Sequence, residues 1–173
     1  AENRWGHCNH ATSASRLSWV WGENHPYKPS PDIVAEPADV VPRNGILQLN
    51  VGPKPDGTIP DEERRIREDL GAWLVRNGEA IYGTTVSPYG APAWGRYTAK
   101  SGTVYAFVFD WPRNGQLALT GLKAAPATVH LLGDPRPLAV ERSADGYVVR
   151  LPAAAPSSIA SVLVLEGAAG AAR

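Results

Sequence analysis

The stretch that most constrains the fold is an apolar run that ends in two successive turns and precedes a long helix. Residues 46–51, ILQLNV, form a nearly continuous apolar run, the pattern of a strand covered on both faces. Gly52-Pro53 and Asp56-Gly57 then supply two turn signals. A buried strand, a turn and a returning helix make one βα unit, which cannot cover its own strand. The stretch therefore predicts an α/β structure in which this strand needs neighbouring strands.

The helix after the second turn is the best-specified element of the sequence. The spacing predicts it over residues 61–77, DEERRIREDLGAWLVRN, because the apolar positions fall on one face. Those positions are Ile66, Leu70, Trp73 and Leu74. Thr58 to Asp61 resembles a capping box, and three acidic residues lie at the positive end of the helix dipole. Gly78 predicts the end of the helix.

The sequence before residue 46 carries weaker signals. Residues 1–31 lack helical and strand periodicity. Residues 32–42, DIVAEPADVVP, have a helix-like apolar spacing that Pro37 and Pro42 interrupt. Since a proline inside a helix costs ~3 kcal/mol or more, we expect at most a broken helix there.

From about residue 91 the pattern changes to short β-rich runs separated by turns. The runs are WGRYTA, TVYAFVFDW, QLALTGL, TVHLLG, PLAVER, YVVRL and IASVLVLE. Ser101-Gly102, Asn114-Gly115 and Asp145-Gly146 mark tight turns. Strands at this spacing, without helices between them, predict an antiparallel β-sandwich.

Composition narrows the classes of function. The 17 Lys and Arg residues balance 17 Asp and Glu residues, so no net charge favours nucleic acid or an anionic membrane as a partner. No apolar stretch approaches the ~18 residues that a membrane-spanning helix needs. The single cysteine, Cys8, leaves the redox compartment undecided. The sequence contains no methionine and no signal peptide, so we expect a chain that is processed, trimmed or incomplete at its front.

Two phrases of the sequence carry a resemblance to a known family. NGILQLNVGPKPDGTIP at 44–60 and WLVRNGEAIYGT at 73–84 combine a strand, two turns, a helix and an NGEAIYG exit at fixed spacing. In this combination they closely resemble the end of the catalytic domain of retaining α-L-fucosidases. Upstream, Ser18-Trp19 and Trp21-Gly22 resemble an SWGY-type segment of the family with Val20 inserted, and Asp39-Val40-Val41 resembles a helix that reads VDVVSKNG.

The resemblance implies a particular architecture. Members of the family consist of an irregular (β/α) barrel followed by a β-sandwich, and a barrel takes roughly 250 residues. We therefore expect an α/β remnant at residues 1–90, formed by the final βα units of the barrel. An antiparallel β-sandwich is expected at residues 91–167 and a frayed tail at 168–173.

The resemblance also implies an activity, the hydrolysis of terminal α-L-fucosyl linkages with retention and without a cofactor. Retention needs two carboxyl groups ~5–5.5 Å apart. In the family these belong to segments that would precede residue 1, so no catalytic residue is assigned and this chain alone is expected to be inactive. Four local carboxylates are interpreted as structural or solvated charges, and they are Glu36, Asp39, Asp56 and Glu79.

Trp19 and Trp21 are the predicted substrate-binding residues. The family places an aromatic ring from this segment against the sugar, where it can cover the methyl face of fucose. The alternative for both rings is packing in the core or within the loop. Asn50 lies near the end of its strand, at the rim where barrel sites are built, and hydrogen bonding to adjacent backbone is its alternative role.

Two further clusters have competing interpretations. His7-Cys8-Asn9-His10 holds three potential ligands, but the spacing is not typical of zinc, and neither a metal site nor a Cys–His dyad is predicted. Alternate residues of one β-rich run are aromatic, which fits a core face or a carbohydrate-binding face. These residues are Tyr105, Phe107, Phe109 and Trp111.

The expected partners are a fucosylated glycan, in the complete enzyme, and the N-terminal part of the barrel. One alternative is a noncatalytic module that binds carbohydrate or protein. Another is a decayed gene fragment, favoured by departures from the family pattern at Pro37, Pro42, Ile46 and Gln48. The compartment is unknown, and the resemblance implies a secreted or periplasmic protein.

Overall fold

The chain divides after Gly78 into two structural units. The computed structural model describes residues 9–86, 89–122 and 125–168, and only the backbone of Asn9 and His10. No helix in this described part of the chain is long and apolar enough to cross a bilayer.

Strands and helices alternate in the first unit. In the described residues the elements are β1 (Asn9–Ser13), α1 (Ser30–Val40), β2 (Ile46–Asn50) and α2 (Asp61–Asn77). β1 and β2 pair in parallel, with Ser13 opposite Asn50. The unit therefore contains two βα units, where the apolar pattern alone predicts one and the resemblance implies more than one. β1 was not predicted because its sequence, NHATS, lacks the apolar alternation that indicates a strand.

The expectation of a broken helix between residues 32 and 42 is wrong. α1 continues through Pro37, and Pro42 lies in a short 3₁₀ turn, Val41–Arg43, that follows it. Pro37 lacks an N–H group and so removes one hydrogen bond. Ile33, Val34 and Ala38 are fully buried on the same helix, and their burial offsets that loss.

α2 has the predicted bounds, and Gly78 is its C-cap residue, as expected, but its start differs from the prediction. Pro60 occupies the N-cap position without a side-chain cap hydrogen bond, and Thr58 instead donates to Asp56 Oδ1 at 2.7 Å. No capping box forms. Gly78 keeps a right-handed helical conformation, with φ of −60°, and a 3₁₀ turn follows the helix.

The β1–β2 sheet is covered on one face only within the described residues. Ala14, Ile33 and Ile66 form a small buried cluster, against which Tyr27 and Leu49 pack. The opposite face carries the alternate residues of β2, of which Ile46 is 62% exposed and Gln48 is also exposed. We name the side of the sheet with Ile46 and Gln48 the open face. Each strand also has an edge without a partner strand in the described part of the chain.

The second unit is antiparallel throughout. Its strands in the described residues are β3 (Gly95–Lys100), β4 (Thr103–Val108), β5 (Gln116–Thr120), β6 (Thr128–Leu131), β7 (Asp134–Pro137), β8 (Val140–Ser143), β9 (Gly146–Arg150) and β10 (Ser161–Glu166). One sheet has the order β3-β4-β10-β6-β7 and the other has the order β5-β9-β8. The predicted run PLAVER is divided between β7 and β8, because the chain leaves the first sheet after Pro137 and enters the second at Val140.

Residues from both sheets form one continuous core in this unit. The core includes Val104, Ala106 and Val108 of β4, together with residues of β5, β9 and β10. Tyr105 and Phe107 therefore do not lie on the face of β4 that meets the second sheet. Tyr105 and Phe107 are buried on the opposite face of β4, Phe109 is partly buried, and Trp111 packs against the core from outside the strand.

The predicted tail at 168–173 lies outside the described residues except for its first residue. Ala168 is buried, and its carbonyl oxygen accepts the Tyr89 hydroxyl. The prediction of a boundary at residue 90 stays a prediction.

Candidate functional site

The parallel pairing of β1 and β2 brings the loops that follow the two strands to the same edge. Residues 14–28 follow β1, and residues 51–60 follow β2. The first loop is a folded hairpin, since Ala14 N–H donates to the Asn50 carbonyl at 3.2 Å and Lys28 N–H donates to the Ala14 carbonyl at 2.8 Å. This edge, where parallel strands end, is the side on which barrel enzymes build their sites.

Trp19 lies on the first loop with its side chain largely in solvent. It is 52% exposed, and Leu17 and Val20 beside it are 66% and 69% exposed. Its backbone is nevertheless fixed, because Asn50 Nδ2 donates to the Trp19 carbonyl oxygen at 2.7 Å. Asn50 therefore binds backbone, as its alternative role predicts, but the backbone is that of Trp19, 31 positions away, and not that of adjacent residues. It thereby holds a predicted sugar-binding residue.

Trp21 lies two residues further along and is partly buried. It lines a hollow of about 440 Å³ whose wall includes Tyr27, Lys54 and Glu62. Trp19 lines a different hollow of about 390 Å³, together with Thr12, Lys28 and Glu36. The two tryptophans thus belong to one loop, but their rings do not share a hollow.

Glu63 is a buried carboxylate at this edge that the sequence analysis did not single out. It lies in the first turn of α2 and is only 2% exposed, and its Oε2 accepts the Gly52 N–H at 2.8 Å. Burial raises the pKa of Glu63, although the Gly52 hydrogen bond and the charge of Arg67 act in the opposite direction. Its burial could have been predicted, because Glu63 lies one helical turn before Ile66 and therefore on the buried face of α2.

A second polar cluster lines the Trp19 hollow. Thr12 is 3% exposed and donates to Glu36 Oε1 at 3.2 Å, and it accepts a hydrogen bond from Lys28 Nζ. Lys28 Nζ also lies 3.7 Å from Glu36 Oε1. The cluster joins β1, the first loop and α1, and it was missed because its members are far apart in the sequence.

The other local carboxylates occupy structural positions. Asp56 accepts hydrogen bonds from the backbone and side chain of Thr58, which lower its pKa. Asp39 forms an ion pair with Arg43 one turn later. In the second unit, Glu79 Oε1 accepts the Tyr105 hydroxyl at 2.7 Å. The contacts of Asp56 and Glu79 agree with the structural interpretation made from the sequence. Asp39 and Glu36 were interpreted as solvated charges, but Asp39 is paired with Arg43 and Glu36 is bound by Thr12.

His7 and Cys8 lie outside the described residues, as do the side chains of Asn9 and His10. Among the residues that the structure does describe, no group of three or more His, Cys, Asp or Glu side chains could hold a metal ion.

Comparison with known families gives two matches in succession along the chain. A family described as Alpha-L-fucosidase matches residues 1–79. A family described as Alpha-L-fucosidase C-terminal domain matches residues 92–166. The first match contains both βα units and the two tryptophans, and the second contains every strand of the sandwich.

Curated relatives align with most of this chain. The α-L-fucosidase of Branchiostoma floridae is 37% identical over 171 residues, which cover 91% of this chain and 36% of the relative. The plasma α-L-fucosidase of Homo sapiens is 34% identical, and the alignment covers 87% of this chain and 34% of the relative. The chain thus spans about a third of the length of these relatives.

Solved structures agree. The α-L-fucosidase isoenzyme 1 from Paenibacillus thiaminolyticus superposes with a TM-score of 0.83 at 29% identity, covering 90% of this chain and 38% of that one. The α-fucosidase of Thermotoga maritima, solved in complex with fucose, gives a TM-score of 0.78 at 28% identity and covers 89% and 38%. Because two family matches and these relatives together account for nearly all of the sequence, the chain belongs to the α-L-fucosidase family and corresponds to the C-terminal part of its members.

Proposed function

We propose that this chain is the C-terminal part of an α-L-fucosidase that hydrolyses terminal α-L-fucosyl linkages with retention of configuration. The observation that carries the proposal is the parallel β1–β2 pair within the segment that matches the family. Parallel pairs of this kind are normally parts of larger sheets that helices cover, as in (β/α) barrels. In this proposal residues 1–90 complete the catalytic barrel, and residues 91–167 form the domain that follows it.

The partner of the first unit is the preceding part of the barrel. The open face and the two strand edges that have no partner strand in the described residues supply what such a partner needs. The face carries Ile46 and Gln48, and the edges carry backbone donors and acceptors that a further parallel strand can pair with. The preceding strands would convert an exposed two-stranded sheet into part of a closed cylinder.

The reaction itself is proposed to use carboxyl groups outside this chain. Retention requires a nucleophilic carboxylate and an acid/base carboxyl ~5–5.5 Å apart. The four carboxylates that the sequence analysis considered are each held by a partner within this chain: Glu36 by Thr12, Asp39 by Arg43, Asp56 by Thr58 and Glu79 by Tyr105. The chain alone is accordingly proposed to be inactive.

The contribution of this chain to substrate binding is proposed to come from Trp19 and Trp21. Both lie on the loop at the edge where the parallel strands end, and the exposed ring of Trp19 is free to cover an apolar face of a sugar. Asn50 fixes the backbone from which the Trp19 ring projects.

The experiment that tests this proposal uses a longer protein, here called the joined protein. In it, residues 1–173 are extended at the N-terminus by the barrel segment encoded directly upstream or, failing that, by the corresponding segment of the Thermotoga maritima enzyme. We expect it to hydrolyse an aryl α-L-fucoside and to release the α-anomer of fucose first, as NMR can follow. Binding of fucosylated glycans without any hydrolysis would instead favour a noncatalytic carbohydrate-binding module.

The roles of the tryptophans are tested in the same joined protein. Trp19→Ala and Trp21→Ala should each lower kcat/KM by about tenfold or more, because a ring that covers the sugar is lost. Leu17→Ala is the matched control, since it removes an exposed apolar side chain from the same loop without removing a ring. Equal effects from Leu17→Ala and Trp19→Ala would contradict a specific role for the Trp19 ring.

A further inference from the structure

Glu63 and Gly52 form a buried link between α2 and the segment after β2. The Glu63 carboxylate is almost completely removed from solvent, and it accepts the Gly52 N–H at 2.8 Å. A buried amide without an acceptor costs ~1–3 kcal/mol, so this contact fixes the Gly52 peptide. Gly52 is itself buried.

Gly52 is in turn packed directly on the backbone of the tryptophan loop. A Cβ atom at Gly52 would lie 2.6 Å from the Trp21 nitrogen and 2.9 Å from the Val20 carbonyl carbon. No side chain other than hydrogen fits in that space without moving the Val20–Trp21 peptide. The position of Gly52 therefore limits the position of the Val20–Trp21 peptide.

Trp19 is held by a different contact. Asn50 Nδ2 donates to the Trp19 carbonyl oxygen at 2.7 Å and reaches Ser13 Oγ at 3.4 Å. Two independent contacts thus hold the loop on either side of Val20. Only the contact on the Trp21 side passes through Glu63.

We infer that Glu63 is a positioning residue for Trp21, acting through the Gly52 peptide on which the Trp21 backbone rests. The functional meaning of this inference rests on the proposed role of Trp21 in binding the sugar.

The test uses the 173-residue chain labelled with 5-fluorotryptophan, in which Trp21→Phe and Trp19→Phe assign the two fluorine signals. Glu63→Ala should move or broaden the Trp21 signal and raise the exchange rate of the Gly52 amide by about tenfold or more. Glu63→Gln should restore both, because its amide oxygen still accepts the Gly52 N–H. Glu68→Ala is the control, since it removes an exposed carboxylate from the same helix.

Gly52→Ala gives a second, independent test. Its methyl group displaces the Val20–Trp21 peptide while Glu63 is unchanged, so the Trp21 signal should move and the Trp94 signal of the second unit should not. If Glu63→Ala unfolds the first unit, the Trp21 signals of Glu63→Gln and Gly52→Ala still test the inference. A Trp21 signal that is unmoved by Gly52→Ala, or equally moved by Glu63→Gln and Glu63→Ala, overturns the inference.

A second measurement separates this inference from the proposed function. The measurements on the variants use no sugar, so they test the position of Trp21 alone. A titration of the joined protein, labelled in the same way, with L-fucose then reports on sugar binding. Failure of that titration with the expected variant effects present would count against the proposed role of Trp21 and leave its positioning by Glu63 intact.

Discussion

The two units of the chain differ in how completely they bury their own sheets. In the second unit, two antiparallel sheets face each other across a shared core in which Leu119, Leu163 and Leu165 are fully buried. In the first unit, two parallel strands carry helices on one face, and Ile46 on the other face is 62% exposed. Both units have regular secondary structure, but among the described residues only those of the second unit enclose a core from both sides.

This difference explains why β2 has the apolar sequence of a buried strand and yet has an exposed face. β2 has the apolar composition of a strand covered on both faces, yet the described residues cover only one. Secondary structure can thus be encoded locally while the burial that stabilises it comes from a partner.

The largest effect is expected from a charge on the open face. Ile46→Lys should leave the folding of the 173-residue chain unchanged, because the side chain is in solvent there. In the joined protein the same substitution should abolish fucosidase activity, since it buries an unpaired charge between strands. Val75→Lys on the exposed side of α2, where Val75 is 89% exposed, is the control and should keep activity. Full activity of the Ile46→Lys joined protein would contradict burial of the open face.

Amide hydrogen-exchange rates should differ between the two units within the intact chain. Amides of β4 and β10, central strands of the larger sheet, should exchange about 10³-fold more slowly than those of β1 and β2, because local stability ranges from near zero up to the global value. Mass spectrometry of peptides from each strand measures the ratio. Equal protection of β2 and β10 would show that the first unit is as self-sufficient as the second.

Truncating one apolar side chain in each unit tests the same difference in burial. Leu163→Ala should lower the free energy of unfolding of the second unit by about 2–5 kcal/mol, because Leu163 is fully buried in the central strand β10. Ile46→Ala in β2 should change the stability of the chain by about 0.5 kcal/mol or less, because its side chain is mostly in solvent. Urea unfolding followed by circular dichroism checks both. A small effect of Leu163→Ala would contradict the shared core.

The smallest effect concerns the pH dependence of the first unit. Burial raises the pKa of Glu63 above its ordinary value of 4.5, so the folded chain holds this proton more tightly than the unfolded chain. Stability should therefore decrease as the pH rises from about 4.5 through the raised pKa and then level off.

Glu63→Gln isolates that dependence, because other carboxylates such as Asp61, whose pKa is lowered, titrate in the opposite sense in both proteins. The variant should lack the decrease, and its stability at neutral pH should lie within about 1 kcal/mol of the parent chain. Parallel pH curves for the two proteins would contradict a raised pKa at Glu63.

The sequence predicts the elements whose patterns are local. The bounds of α2 follow from helical spacing, and all the β-rich runs predict strands of the sandwich, although PLAVER is divided between two. β1 could not be predicted, because its polar residues are held by pairing with β2 across more than thirty positions. α1 could not be predicted to pass through Pro37, because the compensating burial of Ile33 and Val34 depends on tertiary packing.

The candidate site, too, was only partly predictable from the sequence. The loop with Trp19 and Trp21 is found by resemblance, but the contacts that fix it are not local. Asn50 reaches Trp19 across 31 positions, and Glu63 reaches Gly52 across 11 positions from a helix whose sequence reads as a charged surface. Such contacts become visible only when the two βα units are assembled.

The most direct test of the account is the activity of the purified 173-residue chain compared with that of the joined protein on an aryl α-L-fucoside. The account predicts no turnover above the uncatalysed rate for the chain alone and measurable turnover for the joined protein. Turnover by the chain alone would mean that its own carboxylates perform the reaction, and it would contradict the proposal that the catalytic pair belongs to the preceding part of the barrel.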